Sequence, residues 1–260
     1  AGRGARLTLV CATNGDVGEI SDPALATRET LARVRQEELR RAMAVTGVQD
    51  VRFLDYRDSG MAGTADNQHP EALMQAPADQ VTGRLVEVMR EVRPRVVITH
   101  DPTGGYGHPD HVTVCRRVTE AFHTAADPRA YPGRMAPWAP ELLYYVCFPR
   151  SFFRRMWQYL REAGIRPPFA SEEVEALGTP DDEVTTVLDV EPHVATKIAS
   201  LNCHRTQLDP QGPFHKLPAH RLHDMMRNEY FTLALPSGAG TDADLLGRLA
   251  PAAAQRPGSS

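Results

Sequence analysis

Cysteine is scarce and scattered. Cys11, Cys115, Cys147 and Cys203 are spread over 260 residues without a CxxC pair, which excludes a dense disulfide scaffold and a zinc-ribbon framework. Nothing at the amino end has the order of a secretory signal, so a reduced, cytoplasmic setting is expected. Long apolar runs are missing too: no stretch nears the roughly 20 residues of a bilayer-spanning helix. Neither sign of charge is in large excess. With 29 Lys and Arg against 33 Asp and Glu the net charge is -4. The basic residues are interspersed with acidic ones, leaving no stripe for nucleic acid and no polybasic patch for a membrane. A small-molecule partner is the default, and a homo-oligomer is allowed.

What is present is 42% hydrophobic residues, enough for one substantial core. We expect one domain over residues 1–235 and, where the composition turns to Gly, Ala, Pro and Ser, a tail of low order over 236–260. The run "RLTLVCAT" (6–13) reads as a strand buried on both faces of a parallel sheet. A helical pattern follows from about Ala24 to Thr46 and stops at Gly47. "VRFLDY" (51–56) is the next strand, Asp79 to Val92 a second helix closed by Pro94, and "RVVITH" (95–100) another buried strand. The loop "DPTGGYG" then feeds a third helix with Pro109 in its first turn. Further on, "LLYYVCF" and "VTTVLDV" read as strands, and "SFFRRMWQYLREAG" and "PHVATKIASLNCHRTQ" as helices. This alternation predicts an α/β fold with a Rossmann-like, doubly wound, mostly parallel sheet, whose sites lie at the carboxyl ends of its strands.

Two places carry chemistry. In "GGYGHPDHVTVC", His111 heads the apolar stripe of the third helix, with Cys115, Val118, Phe122 and Ala125. His108 sits just before that helix, near the donors of its amino end. A bare HxxH is most simply a core histidine and a cap. Here the glycine-rich loop after a buried strand, the hydroxyl of Tyr106, and Asp110 placed to orient an imidazole favour a site. The second place is the first helix, where Arg35 and Glu38 fall inside the stripe of Leu31, Leu39, Ala42 and Met43. Buried charge requires a partner, so the two either pair with each other or meet a ligand. Asp58, in "YRDSGM", reads on its own as a turn residue.

Taken together, "TLVCATNGDVGE", "RQEELRRAM", "YRDSGMAGT", "VRPRVVITHDPTGGYGHPDH" and the late "HRTQ" resemble the PIG-L/LmbE-like deacetylases over roughly residues 5–235. Those are zinc-dependent enzymes that remove the acetyl group of N-acetylglucosamine derivatives. "YRDSGMAGT" and the glycine loop look closest to the mycothiol-pathway branch, which acts on an N-acetylglucosaminyl inositol. The resemblance implies a Zn2+ cofactor and an amino-sugar substrate. It makes His111 a zinc ligand, His108 the oxyanion-stabilising or acid group tuned by Asp110, and Tyr106 a further contact to the tetrahedral intermediate. Arg35 and Asp58 would hold sugar hydroxyls, with Glu19 in the same pocket. Lys197, His204 and Gln207 resemble a late pattern without an assigned role.

One departure is large. The family opens with a strand ending in a His-Pro-Asp-Asp type motif, which supplies two further zinc ligands and the general base. The only His-Pro before the HPDH motif is His69-Pro70, followed by Glu71 and Ala72. We therefore expect the family's first strand, interior to the sheet, to be absent from this chain, and the reading frame to continue upstream. Two other readings compete: a sugar-binding remnant of the same fold that has lost the metal, and a nucleotide-binding protein using "DPTGGYGH" as a phosphate cradle. The last lacks both the GxGxxG spacing and a GKS or GKT ending.

Overall fold

β-Branched and aromatic residues concentrate where the chain extends, and the computed structural model, which describes residues 4–236 except 134, 169, 210 and 211, places strands there. β1 (Thr8–Thr13) lies parallel to β2 (Asp50–Tyr56), with Thr8 opposite Asp50 and Cys11 opposite Phe53. β3 (Val96–His100) lies parallel to β4 (Leu142–Cys147). β6 (Asn228–Leu235) runs antiparallel between β4 and β5 (Thr186–Asp189). The observed orders are β1-β2 in one sheet and β3-β4-β6-β5 in the other. The α/β class holds, while β6, with its antiparallel pairings, was not anticipated.

The two sheets share one core. Val10, Ala12 and Leu54 from the first and Val97, Leu143 and Tyr145 from the second pack with Val81, Leu85 and Met89 of α2 (Ala78–Val92) and Val118 and Ala121 of α4 (Pro109–Thr124). Between them α3 (Gly104–Gly107) is a single turn, and after β4 come α5 (Arg150–Glu162) and the short α6 (Ser171–Val174). α1 (Leu31–Thr46) packs with α7 (Val194–Leu201), Ser200 donating to the carbonyl of Ala42 at 3.0 Å. Among the described residues neither β1 nor β3 pairs along its second edge. Ile98, in the middle of β3, is 48% exposed.

Element ends follow local chemistry. α1 begins at Leu31 rather than Ala24, because short polar side chains turn the preceding segment. Asp22 accepts from the Ala24 N–H at 2.9 Å and Thr30 Oγ from the Thr27 N–H at 2.9 Å. It stops at Gly47, whose φ of 78° lets the Gly47 and Val48 N–H groups reach the carbonyls of Ala44 and Met43. α7 ends at Leu201 and the chain continues in turns through Gln207, so "NCHRTQ" is not helical. Residues 237–260, where a tail was expected, lie outside the described residues.

Candidate active site

The carboxyl end of β3 runs into a loop that only glycines can follow. Asp101 Oδ1 accepts from the Thr103 N–H at 2.7 Å and its hydroxyl at 2.5 Å, curling the chain so that Gly104, Gly105 and Gly107 take φ values of 70°, 73° and 82°. α4 then starts with His108 as its cap: the ring Nδ1 accepts the Asp110 N–H at 3.2 Å, and Pro109 fills the first helical position.

These contacts give the two histidines opposite tautomers. His108 Nδ1 spends its lone pair on a backbone donor, so the proton of the neutral ring sits on Nε2, which faces Asp58 Oδ1 at 3.8 Å. His111 Nδ1 lies 3.1 Å from the Gly104 carbonyl. A carbonyl can only accept, so Nδ1 carries the proton and Nε2 keeps a lone pair. Burial lowers the pKa of both rings and keeps them neutral near pH 7. His100, at the end of β3, stacks on His111 with centroids 3.9 Å apart, and burial with that neighbour pushes it down to about 4. Tyr106 stands edge-on to both, 6.0 Å from His108 and 5.2 Å from His111, and is 64% exposed.

The carboxylates behind this pair are held by backbone. Asp110 Oδ2 accepts the Ser59 N–H at 3.0 Å, while its buried Oδ1 has no partner among the described residues. Burial and the nearby Asp58 raise the Asp110 carboxyl to about 6, although the Ser59 contacts oppose this. Asp58 Oδ1 accepts the Gly60 N–H at 2.8 Å, and the Asp58 N–H donates to Asp16 Oδ1 at 3.0 Å. Ser59 is fixed in turn by Asn67, which donates to its carbonyl at 2.6 Å, and by the Met74 N–H, which reaches its hydroxyl at 3.1 Å. Asp58, His108 and Asp110 bring ligand-type atoms within 4.8 Å of one another.

The α1 side supplies the cation. Arg35 donates through Nη2 to the Glu19 carbonyl at 2.8 Å, and its buried Nε–H finds no acceptor among the described residues. The "NGDVGE" loop wraps this guanidinium: a Cβ on Gly15 would lie 2.9 Å from it, and one on Gly18 would collide with it. Asp58 lies close enough to favour the Arg35 charge against the burial that lowers its pKa. The expected choice between an Arg35–Glu38 pair and a ligand resolves away from the pair. Both carboxylate oxygens of Glu38 are taken by Thr206, from its N–H at 2.8 Å and its hydroxyl at 2.7 Å. Glu19 contributes its carbonyl, and its side chain is exposed. Lys197 forms a 2.6 Å ion pair with Glu229 and donates to the Met226 carbonyl, a link between α7 and β6.

Arg35, Asp58, Tyr106, His108, Asp110 and His111 therefore form one cluster at the carboxyl end of β3. Comparison with known proteins says which family the chain belongs to. Residues 1–122 match the family model described as PIG-L, GlcNAc-PI de-N-acetylase. The chain is also 39% identical to the 1D-myo-inositol 2-acetamido-2-deoxy-alpha-D-glucopyranoside deacetylase of Geodermatophilus obscurus, over 88% of this chain and 82% of that protein. The chain belongs to the PIG-L family. A PIG-L relative of the same name from Thermobispora bispora is 40% identical over 90% of this chain and 80% of its own length. Among solved structures, the N,N'-diacetylchitobiose deacetylase from Pyrococcus horikoshii superposes with a TM-score of 0.59 at 17% identity, covering 88% of this chain and 72% of that one. That likeness speaks for the fold.

Sequence reasoning passed over three residues that the structure brings to this cluster. His100 had a usable signal, a histidine at the carboxyl end of a buried strand, where such folds keep their sites. Asp16 and Ser59 act through backbone contacts to Asp58 and Asp110 that no spacing reveals.

Proposed function

We propose that this PIG-L protein is a zinc-dependent amide hydrolase that removes the acetyl group from an N-acetylglucosaminyl inositol. The observation that carries the reading is the pair of opposite tautomers. Side by side, with ring centroids 5.0 Å apart, His111 offers a lone pair suited to a metal and His108 offers a proton suited to a developing oxyanion.

The residues fit a zinc ion in part. His111 Nε2 serves as one ligand, held in orientation by Gly104 as outer partners usually hold such rings. His108 is the weaker ligand candidate of the Asp58, His108 and Asp110 group. A metal on its Nε2 would move the proton to Nδ1 and set it against the Asp110 N–H. A catalytic zinc takes about three protein ligands. We assign the remaining ligands and the general base to a further strand lodged between β1 and β3, whose second edges are both open among the described residues. The exposure of Ile98 supports that placement.

A bound zinc would polarise the acetyl carbonyl and acidify an attacking water. Everything else falls to side chains. His108 donates from Nε2 to the carbonyl oxygen as negative charge grows there, and Asp58, 3.8 Å from that nitrogen, favours the ring's positive form. Tyr106, the most exposed member, adds a hydroxyl donor from the open side. Arg35 has a buried unsatisfied donor for a sugar hydroxyl, and Asp58 supplies a carboxylate beside it. The four cysteines are free thiols, which supports the reduced compartment. No helix of the described residues is long and apolar enough to cross a membrane.

The test starts with the genomic DNA upstream of the Ala1 codon and continues with the protein expressed from the whole reading frame. The expected result is an apolar strand ending in His-Pro-Asp-Asp, about one bound zinc, and acetate release that chelation stops. Sugar binding that is indifferent to chelator, with no acetate, would instead make the protein a sugar-binding remnant.

A further inference from the structure

Glu38 is a charge the hydrolysis does not use. It is 1% exposed and lies three residues after Arg35 on the same face of α1. Its two oxygens take both donors of Thr206, itself fully buried. That contact continues outward. The Thr206 carbonyl accepts the Ser21 N–H at 3.0 Å, and Ser21 Oγ donates to the Arg205 carbonyl at 2.6 Å. The segment leading to Ser21 is the one that wraps Arg35, through the Glu19 carbonyl and the close approach of Gly15 and Gly18. His204 heads the strapped turn. It is partly buried, and burial lowers its pKa while the nearby Glu38 carboxylate opposes that shift.

We propose that Glu38 is a positioning residue for substrate: it straps the 204–206 turn and, through it, the 18–21 segment to α1, so that the loop around Arg35 holds the guanidinium in a fixed place. The inference rests on the reading above, in which Arg35 holds the sugar. A buried carboxylate suits the role because it can only accept, and here it meets two donors at one residue. The role depends on hydrogen bonding more than on charge. A glutamine can keep both contacts, accepting the Thr206 N–H through its carbonyl and donating through its amide to the Thr206 hydroxyl, which can turn to accept. A leucine of similar size keeps neither.

The experiment uses the full reading frame and reads the Kd and kinetics for N-acetylglucosaminyl inositol, with amide exchange at Ser21 and Thr206 measured in parallel. E38L should raise Kd and KM about tenfold with kcat unchanged, and speed exchange at both amides. E38Q should restore both readouts to within about twofold of wild type, because its side chain still makes two hydrogen bonds. T206V, which removes only the hydroxyl contact, should fall between and covers the case in which E38L does not fold. S200A cuts another buried link between α1 and α7 and should lower Tm while leaving KM alone. Equal losses in E38Q and E38L would overturn the strap in favour of a charge effect. Rapid exchange with unchanged KM in E38L, or a KM rise in S200A as large as that in E38L, would reduce Glu38 to a structural group. If wild type binds no amino sugar, the functional reading fails and takes this inference with it, while protected amides at Ser21 and Thr206 would show that the strap itself exists.

Discussion

Between His100 and His111 the chain gathers three imidazoles, a phenol and two carboxylates within the end of β3, one loop and the first turn of one helix. On the α1 side, Arg35 and Asp58 depend on partners from Asp16, Glu19 and, through Glu38, Thr206. The first half is local: its glycines, proline and capping histidine set each ring with bonds a few residues long. The second half is assembled by tertiary contacts, and its central cation, on α1, is packed so closely by the loop that a Cβ at Gly18 would push it aside. Damage to the local half should therefore change chemistry and leave binding in place. Damage to the assembled half should change binding and leave chemistry in place.

The widest separation is expected from the two histidines, compared in the protein carrying the whole reading frame. H111A should lose zinc retention and, with it, turnover. H108A should keep about one zinc and a near-normal KM while kcat falls by about 10²–10⁴-fold, the range for losing a positioned acid or base. Metal analysis beside steady-state kinetics reads both. Retained zinc with full activity in H111A would end its assignment as a ligand. Zinc loss in H108A would make the Asp58, His108 and Asp110 cluster the metal site instead.

The assembled half should respond more mildly and in the other parameter. R35A removes a charged donor that meets a hydroxyl, worth about 1.5–3 kcal/mol, so Kd should rise by about 10–100-fold with zinc content unchanged. G18A reaches the same group without touching it chemically. The added methyl would collide with the Arg35 guanidinium and force it aside, giving a smaller rise in Kd of the same kind. Unaltered kinetic constants with lower thermal stability in R35A would return the arginine to a purely structural role, and the two halves would no longer divide as described.

The same contrast governs how much could be read before the structure. β1 to β5, five of the main helices and the HPDH loop were legible because apolar runs, proline, glycine and capping residues act over a few positions. The family resemblance rested on those local motifs. Glu38 was visible as an anomaly in an apolar stripe, but its partner Thr206 lies 168 residues away and no periodicity points to it. Asp58 read as a turn residue and does make that turn, to Gly60. Its second role depends on Asp16 and His108, which reach it only after the sheets pack. The helix drawn from Ala24 was too long because its first residues, polar and turn-forming, matched the pattern by spacing alone.

The smallest expected effect tests whether the local half is as dry as its geometry says. Burial and His111 hold His100 down at about 4, below the 6.5 of an unhindered imidazole. In that interval the unfolded chain binds a proton that the folded ring refuses, so folding stability is complete above about pH 6.5 and is lost as pH falls toward 4. The ring is part-exposed, so the contribution is discounted for solvent to about 1–2 kcal/mol. Asp110 works in the opposite direction, since burial and Asp58 raise its carboxyl to about 6 and acid relieves that penalty. Total stability against pH would mix the two. The difference between wild type and H100N isolates one: measured by urea unfolding of the chelated protein, wild type should lose about 1–2 kcal/mol relative to H100N between pH 7.5 and 4.5. A constant difference would mean that water reaches His100 and that the stacked pair with His111 is open to solvent.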